Sequence, residues 1–97
     1  MIEQNGARLT LTGPMLIANA RALLETGRSF LQGAAPAAEV LVDLATVEET
    51  DSSALSLIFA LLRTANKRGL TLRLAHAPAS MLSQAALYGV AESLPLA

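Results

Sequence analysis

Short apolar and polar alternations open the chain and predict two strands. Residues 1–4 form a candidate edge strand, and Asn5-Gly6 is a strong signal for a hairpin turn. In the segment ARLTLT that follows, leucines alternate with threonines. This is the period of a strand buried on one face, so the pattern predicts a hairpin at the start of the chain.

A helical spacing replaces the alternation after Gly13-Pro14, where Pro14 suits the first turn of a helix. This first helix should end near Gly33. Past the linker AAPAAE, the run from Val40 to Val42 is typical of a strand that is covered on both faces or is parallel to its neighbours. Asp43 is expected to end that strand. In the first helix, the apolar positions with helical spacing are Leu16, Ala20, Leu23, Leu24 and Phe30 or Leu31.

The second helix is predicted from about Ser53 to Arg68, and Gly69 should stop it. At 100° per residue its apolar side chains fall on one broad arc, which predicts the face that packs on the core. That arc holds Leu55, Ile58, Phe59, Leu61, Leu62 and Ala65. The opposite arc, expected to face outward, holds Ser53, Ser56, Leu57, Ala60, Arg63, Thr64 and Lys67.

The last third of the chain predicts one more strand and one more helix. LTLRLAH alternates as a strand, a third helix begins at Pro78 or Ser80, and Gly89 closes it. The apolar tail VAESLPLA should lie on the domain. Strands that alternate with helices imply right-handed crossovers. We therefore expect one small α/β domain over 1–97, a four-stranded, mostly parallel sheet with about three helices on one face.

Composition narrows the class of protein. The 97 residues fit one domain, and 53% hydrophobic with 3% aromatic residues predicts an aliphatic core. A net charge of −1 without a basic run argues against nucleic-acid binding. No apolar stretch approaches the length of a membrane span, and the N-terminus does not resemble a signal peptide. With no cysteine, thiolate metal sites are excluded, and the cytoplasm is the expected location.

Catalytic and metal-binding arrangements are weakly supported. His76, the single histidine, could pair with Ser52 or Ser53 as in a small hydrolase, although a structural or solvent-facing histidine is the more common arrangement. Asp43 and Asp51 could bind a hard cation, although such residues more often cap turns and helices. No phosphate-binding P-loop motif is present. We predict no enzyme activity, no metal and no cofactor.

The segment TDSSALSLIF contains the strongest candidate site. Asp51 or Ser52 can cap the second helix, and one cap is sufficient, so a second hydroxyl is left for another task. The first turn of a helix also tolerates added negative charge, which makes both serines candidate phospho-acceptors. Small side chains on the outward arc predict a contact surface for a partner. The predicted partner-binding residues are Asp51, Ser52, Ser53, Ser56, Leu57 and Ala60.

The segment VLVDLATVEETDSSALSLIFALLRTANKRGLTLRL resembles a STAS domain, the fold of anti-sigma-factor antagonists. The features that carry the resemblance are the strand ending Val42-Asp43-Leu44, the Asp51-Ser52-Ser53 motif, Leu55, and Gly69 before a leucine-rich strand. The likeness extends over nearly the whole chain. LTGPMLIANARALLETG and ALYGVAESLP resemble the branch formed by the STAS subunits of phospholipid-trafficking ABC transporters.

This resemblance implies a non-enzymatic cytoplasmic subunit that binds the transporter's ATPase and meets the membrane only through the complex. It would support assembly or activity of a transporter that maintains outer-membrane lipid asymmetry. In this branch the key hydroxyl after the acid falls on Ser52. The alternative is an anti-sigma-factor antagonist that binds a kinase-type anti-sigma factor, in which the phosphorylated serine falls on Ser53.

Overall fold

A computed structural model describes residues 2–5, 8–12, 15–34, 38–47 and 49–96. Four strands and three helices alternate as predicted, followed by a short 3-10 helix. The elements are β1 Ile2–Asn5, β2 Arg8–Thr12, α1 Ile17–Gly33, β3 Glu39–Thr46, α2 Ser52–Lys67, β4 Thr71–Ala75, α3 Ala79–Leu87 and the 3-10 helix Ala91–Ser93.

The strands form one sheet in the order β1-β2-β3-β4. β2, β3 and β4 are parallel to one another, whereas β1 runs antiparallel to β2. The small α/β domain with three helices is confirmed, and the parallel part of the sheet has three strands, with β1 as an antiparallel fourth. The reason is the connection, because a chain that reverses within a few residues can only pair antiparallel strands, and parallel neighbours need a crossover helix. Gly6 of the predicted turn lies outside the described residues.

The sheet buries one face beneath the helices. In β2 and β4 the leucines are buried, and the residues between them are exposed or half-buried. All three helices contribute to the same hydrophobic cluster as this face, which gives a two-layer domain. Its fully enclosed side chains are Leu9, Leu11, Met15, Leu31, Val40, Val42, Leu44, Ile58, Leu61, Leu74 and Met81.

Two predicted element boundaries are wrong. β3 does not end at Asp43 but continues to Thr46, because Asp43 is paired in register with Thr10 on one side and Ala75 on the other. The carboxylate projects to the open face of the sheet, where it finds polar partners. α1 begins at Ile17, later than the proline signal indicated, and Pro14 lies outside the described residues.

Helix α2 packs on two sides and not one. Leu57 and Ala60, predicted to face outward, are only 3% and 7% exposed. The cause is α1, which lies alongside α2 and approaches it closely at Gly27. A Cβ atom added to Gly27 would lie 2.7 Å from Leu61 Cδ2. Because α2 touches both the sheet and α1, its buried arc is wider than the amphipathic pattern predicts.

The tail lies on the domain, as predicted. Leu94 is buried, and the backbone N–H of Leu74 donates a hydrogen bond of 2.7 Å to the carbonyl of Pro95. An isolated parallel bridge joins Leu74 to Leu96, so the tail runs along the outer edge of β4. Within the described ranges, none of the helices combines the length and the apolar character that crossing a membrane requires.

Candidate functional site

Asp51 ties together the N-termini of two helices. It is the N-cap of α2, where one carboxylate oxygen accepts a hydrogen bond of 2.9 Å from the backbone N–H of Ser53. The other oxygen accepts a bond of 3.0 Å from the backbone N–H of Ile17, the first residue of α1. The first N–H groups of a helix lack partners within the helix, so one side chain satisfies a donor in each. The entrances of α1 and α2 therefore form one corner of the domain.

The charge of Asp51 is stabilised at this corner. The hydrogen bond from the Ser53 side chain, followed by that from the Ile17 N–H, lowers the pKa of the Asp51 carboxyl below its usual range. Helix N-termini also favour a negative charge through the alignment of their peptide dipoles. Asp51 therefore remains ionised and serves as an acceptor. This role is intramolecular, and it explains an acid before the two serines without any ligand.

The two serines differ in what their hydroxyls do. The Ser53 hydroxyl donates to Asp51 Oδ1, and the residue is half-buried. Ser52 is exposed, and its hydroxyl has no hydrogen-bond partner among the residues that the structure describes. The sequence left open whether Asp51 or Ser52 caps α2, and it placed Ser53 on the outward arc. In the structure Asp51 is the N-cap. Ser53, and not Ser52, is the hydroxyl that joins the cap.

An open cleft begins at Ser52 and follows α2 toward its middle. Its volume is about 560 Å³, and α2 forms one wall while the end of α3 and the residue after Gly89 form the other. The lining combines hydroxyls, apolar and aromatic side chains and one cation. These residues are Ser52, Leu55, Ser56, Phe59, Arg63, Tyr88 and Val90.

Exposed apolar side chains border the same corner. Ile17, whose N–H binds Asp51, is 79% exposed, and Tyr88 at the far wall of the cleft is 59% exposed. Exposed apolar side chains that are rimmed by polar groups are typical of interaction surfaces. The sequence reasoning missed Ile17, Arg63 and Tyr88 as site residues, and it placed Phe59 in the core. These site residues come from different helices and meet only in the folded domain, so the periodicity along one helix does not reveal them.

The predicted contact set divides in two. Asp51 lies at the corner, and Ser52 and Ser56 line the cleft. Ser53 is half-buried at the corner. Leu57 and Ala60 point into the groove between α1 and α2, where they contact the domain itself. Residues three or four apart share a helix face, so Ser52 and Ser56 belong together on the exposed face of α2.

A family model described as "Mlab, STAS domain" matches residues 1–96. The chain belongs to the STAS domain family. No curated protein sequence matches this STAS domain. Its membership therefore rests on a match that extends over nearly the whole chain.

Solved structures show the same fold at low identity. A candidate anti-sigma-factor antagonist from Thermotoga maritima has a TM-score of 0.76 at 17% identity, covering 99% of this chain and 83% of that one. A sulfate transporter family protein from Wolinella succinogenes has a TM-score of 0.69 at 16% identity, covering 90% of this chain and 69% of that one. The unphosphorylated anti-sigma factor antagonist SpoIIAA has a TM-score of 0.66 at 15% identity, with 87% and 78% covered. At these identities the likeness establishes the fold alone.

The polar groups on the open face of this STAS domain pair with one another. Asp43 Oδ1 lies 3.1 Å from His76 Nδ1, Oδ2 accepts from the Arg8 guanidinium, and the N–H of Ala45 donates to Oδ1 at 2.9 Å. The hydrogen bond from Arg8 contributes most to lowering the Asp43 pKa to about 2. Neither serine is hydrogen-bonded to His76 in the described part of the chain, so the serine–histidine pair of a hydrolase is not formed. Asp43 and Asp51, considered above as a pair that could bind a cation, are each hydrogen-bonded to different partners.

Proposed function

We propose that this STAS domain is a non-enzymatic docking subunit of an ABC transporter for phospholipids, which binds an MlaF-like ATPase through the corner at Ser52. In this role it acts in the cytoplasm, is peripheral to the inner membrane within the complex, and supports transport that maintains outer-membrane lipid asymmetry. The observation that carries the proposal is the exposed hydroxyl of Ser52 at the mouth of a partly apolar cleft. The description of the matching family supports the choice of partner.

The corner has the features of a small interface centre. Ser52 and Ser56 leave room for close approach and offer hydrogen bonds, and Phe59 and Tyr88 provide apolar and aromatic surface. Interfaces characteristically combine an apolar centre rich in aromatic residues with a polar rim. Asp51 holds the entrances of α1 and α2 together, so the surface is formed before a partner arrives. A surface formed in advance loses less conformational freedom on binding.

Ser52→Glu tests this proposal without endangering the fold. A carboxylate at this exposed position in the first turn of α2 is compatible with the helix dipole, so the melting temperature should stay close to that of the wild type. At an interface, the same carboxylate would be desolvated without a partner, and we expect affinity for the co-expressed ATPase to fall at least tenfold. The matched control is Ser29→Glu, on the exposed surface of α1. Wild-type affinity of Ser52→Glu in a quantitative pull-down would refute the proposal.

A second candidate is a phosphorylation-controlled switch that binds an anti-sigma-factor kinase. The hydrogen bond between the Ser53 hydroxyl and Asp51 favours it, because that bond connects a possible phospho-acceptor to the capping of both helices. A phosphate on Ser53 would set about two negative charges against the Asp51 carboxylate and disrupt the corner. Mass spectrometry of protein from native cells distinguishes the candidates, since a stoichiometric, kinase-dependent phosphate at Ser53 is expected only for the switch.

A further inference from the structure

Charge is segregated between the helical face and the rest of the domain. The segments 17–33 and 52–68, which contain α1, α2 and Arg68, carry five of the seven Lys and Arg residues but only one of the eight Asp and Glu residues. That acid, Glu25, lies 3.8 Å from Arg21 on its own helix. The remainder of the chain holds two cations and seven acids. These two segments thus carry a net charge of +4 within a domain whose net charge is −1.

The positive charge converges on a cleft at the C-terminal ends of α1 and α2, away from the Ser52 corner. The cleft has a volume of about 550 Å³, and its lining contains three cations and two uncharged polar groups but no carboxylate. In the part of the chain that the structure describes, none of these cations belongs to an ion pair. The lining residues are Arg28, Gln32, Thr64, Lys67 and Arg68.

Helix dipoles account for only part of this arrangement. Lys67 and Arg68 stand at the C-terminus of α2, where cations are favourable beside unpaired carbonyl groups. Arg28 lies five residues before Gly33, the end of α1, and the dipole effect fades beyond the last turn. The helix dipole of α1 therefore does not account for Arg28, which adds a third cation to the lining of this cleft.

We propose that this cleft binds a phosphate-bearing anion. Two guanidinium groups offer paired N–H donors that match phosphate oxygens, and the ammonium of Lys67 adds a point charge. The Gln32 amide can donate as well, whereas the Thr64 hydroxyl already donates to the carbonyl of Ala60 at 3.2 Å. Three cations suit a group of two or more negative charges. The phosphate belongs either to a soluble phosphate compound or to a lipid headgroup.

The first experiment titrates the isotope-labelled protein with pyrophosphate at constant ionic strength and follows backbone amide signals. We expect saturable shifts at residues around 28–32 and 64–69. Arg28→Gln and Lys67→Gln should each weaken binding about tenfold, the usual effect of losing one charge-assisted hydrogen bond. The matched control is Arg21→Gln, an exposed cation of α1 outside this cleft, and it should change affinity less than twofold. Ser52→Glu should leave the titration unchanged, which separates this proposal from the docking function.

The second experiment distinguishes a soluble phosphate compound from a lipid headgroup. It measures sedimentation of the protein with phosphatidylglycerol or phosphatidylcholine vesicles. Saturable pyrophosphate binding without sedimentation supports a soluble phosphate compound. Sedimentation with phosphatidylglycerol alone, weakened by Arg28→Gln and not by Arg21→Gln, supports a lipid headgroup. Linear, non-saturating shifts together with no sedimentation would overturn the proposal. So would equal weakening by Arg21→Gln in either experiment, because that result indicates diffuse attraction and no defined site.

Discussion

The packing of α1 against α2 at Gly27 can be tested by substitution. Gly27 lies inside α1 in spite of its low helix propensity, and it faces Leu61 of α2. An added Cβ would lie 2.7 Å from Leu61 Cδ2 and 3.2 Å from Cδ1, distances at which the leucine has to move. Because Leu61 is only 1% exposed, its side chain has little room to do so. We therefore expect Gly27→Ala to destabilise the domain.

The size of this effect is a difference between two opposing terms. Alanine in place of glycine within a helix stabilises by up to about 1 kcal/mol. Overpacking of an enclosed site costs about 1–3 kcal/mol. With a central value for the overpacking, Gly27→Ala should lower the free energy of unfolding by about 1 kcal/mol. Equilibrium urea denaturation resolves a change of this size as a shift of the midpoint at constant slope.

A double-mutant cycle separates the two terms. In a Leu61→Ala background the obstacle is gone, so Gly27→Ala should now stabilise by up to about 1 kcal/mol and the coupling should reach about 2 kcal/mol. Gly33→Ala is the matched control, since an added Cβ at Gly33 meets no atom within 4 Å. It should be neutral or slightly stabilising. A Gly27→Ala variant more stable than the wild type, or a coupling near zero, would refute the close approach of the helices.

Three further outcomes follow from single contacts. Because Arg8 holds the Asp43 pKa near 2, the charge of Asp43 stabilises the fold above pH 4. That contribution, about 1–2 kcal/mol after discounting for the half-exposed arginine, should be lost between pH 4 and 2, and urea titrations of Asp43→Asn should lack this loss. Leu57→Ala should cost about 3 kcal/mol in chemical denaturation, while its exposed neighbour Ser56→Ala changes stability by less than about 0.5 kcal/mol; equal effects would contradict the burial of Leu57. Gly89 has φ +72°, so Gly89→Ala should lower stability by about 1 kcal/mol, and an unchanged melting temperature would contradict that backbone conformation.

The candidate site could be predicted only in part from the sequence. The motif Asp51-Ser52-Ser53 indicated a capped helix with a spare hydroxyl, because capping chemistry is local and depends on a few adjacent residues. Which serine joins the cap could not be read from the motif, since both lie within reach of the carboxylate. Ile17 reaches the corner from α1, and Tyr88 reaches the cleft from the end of α3, so their contribution depends on how those helices are placed.

The order of strands and helices, the leucine-lined strands and the limits of α2 were determined by the sequence alone. Periodicity, turn residues and caps act over a few positions and leave a direct pattern. The tertiary structure decided the rest. It buried Leu57 and Ala60 because α1 covers a second side of α2, and it extended β3 through Asp43 because ladders on both sides and Arg8 stabilise a charge in mid-strand. It also gathered Arg28, Lys67 and Arg68 at one end of two parallel-packed helices. Such contacts join residues far apart in the chain, so no local pattern encodes them.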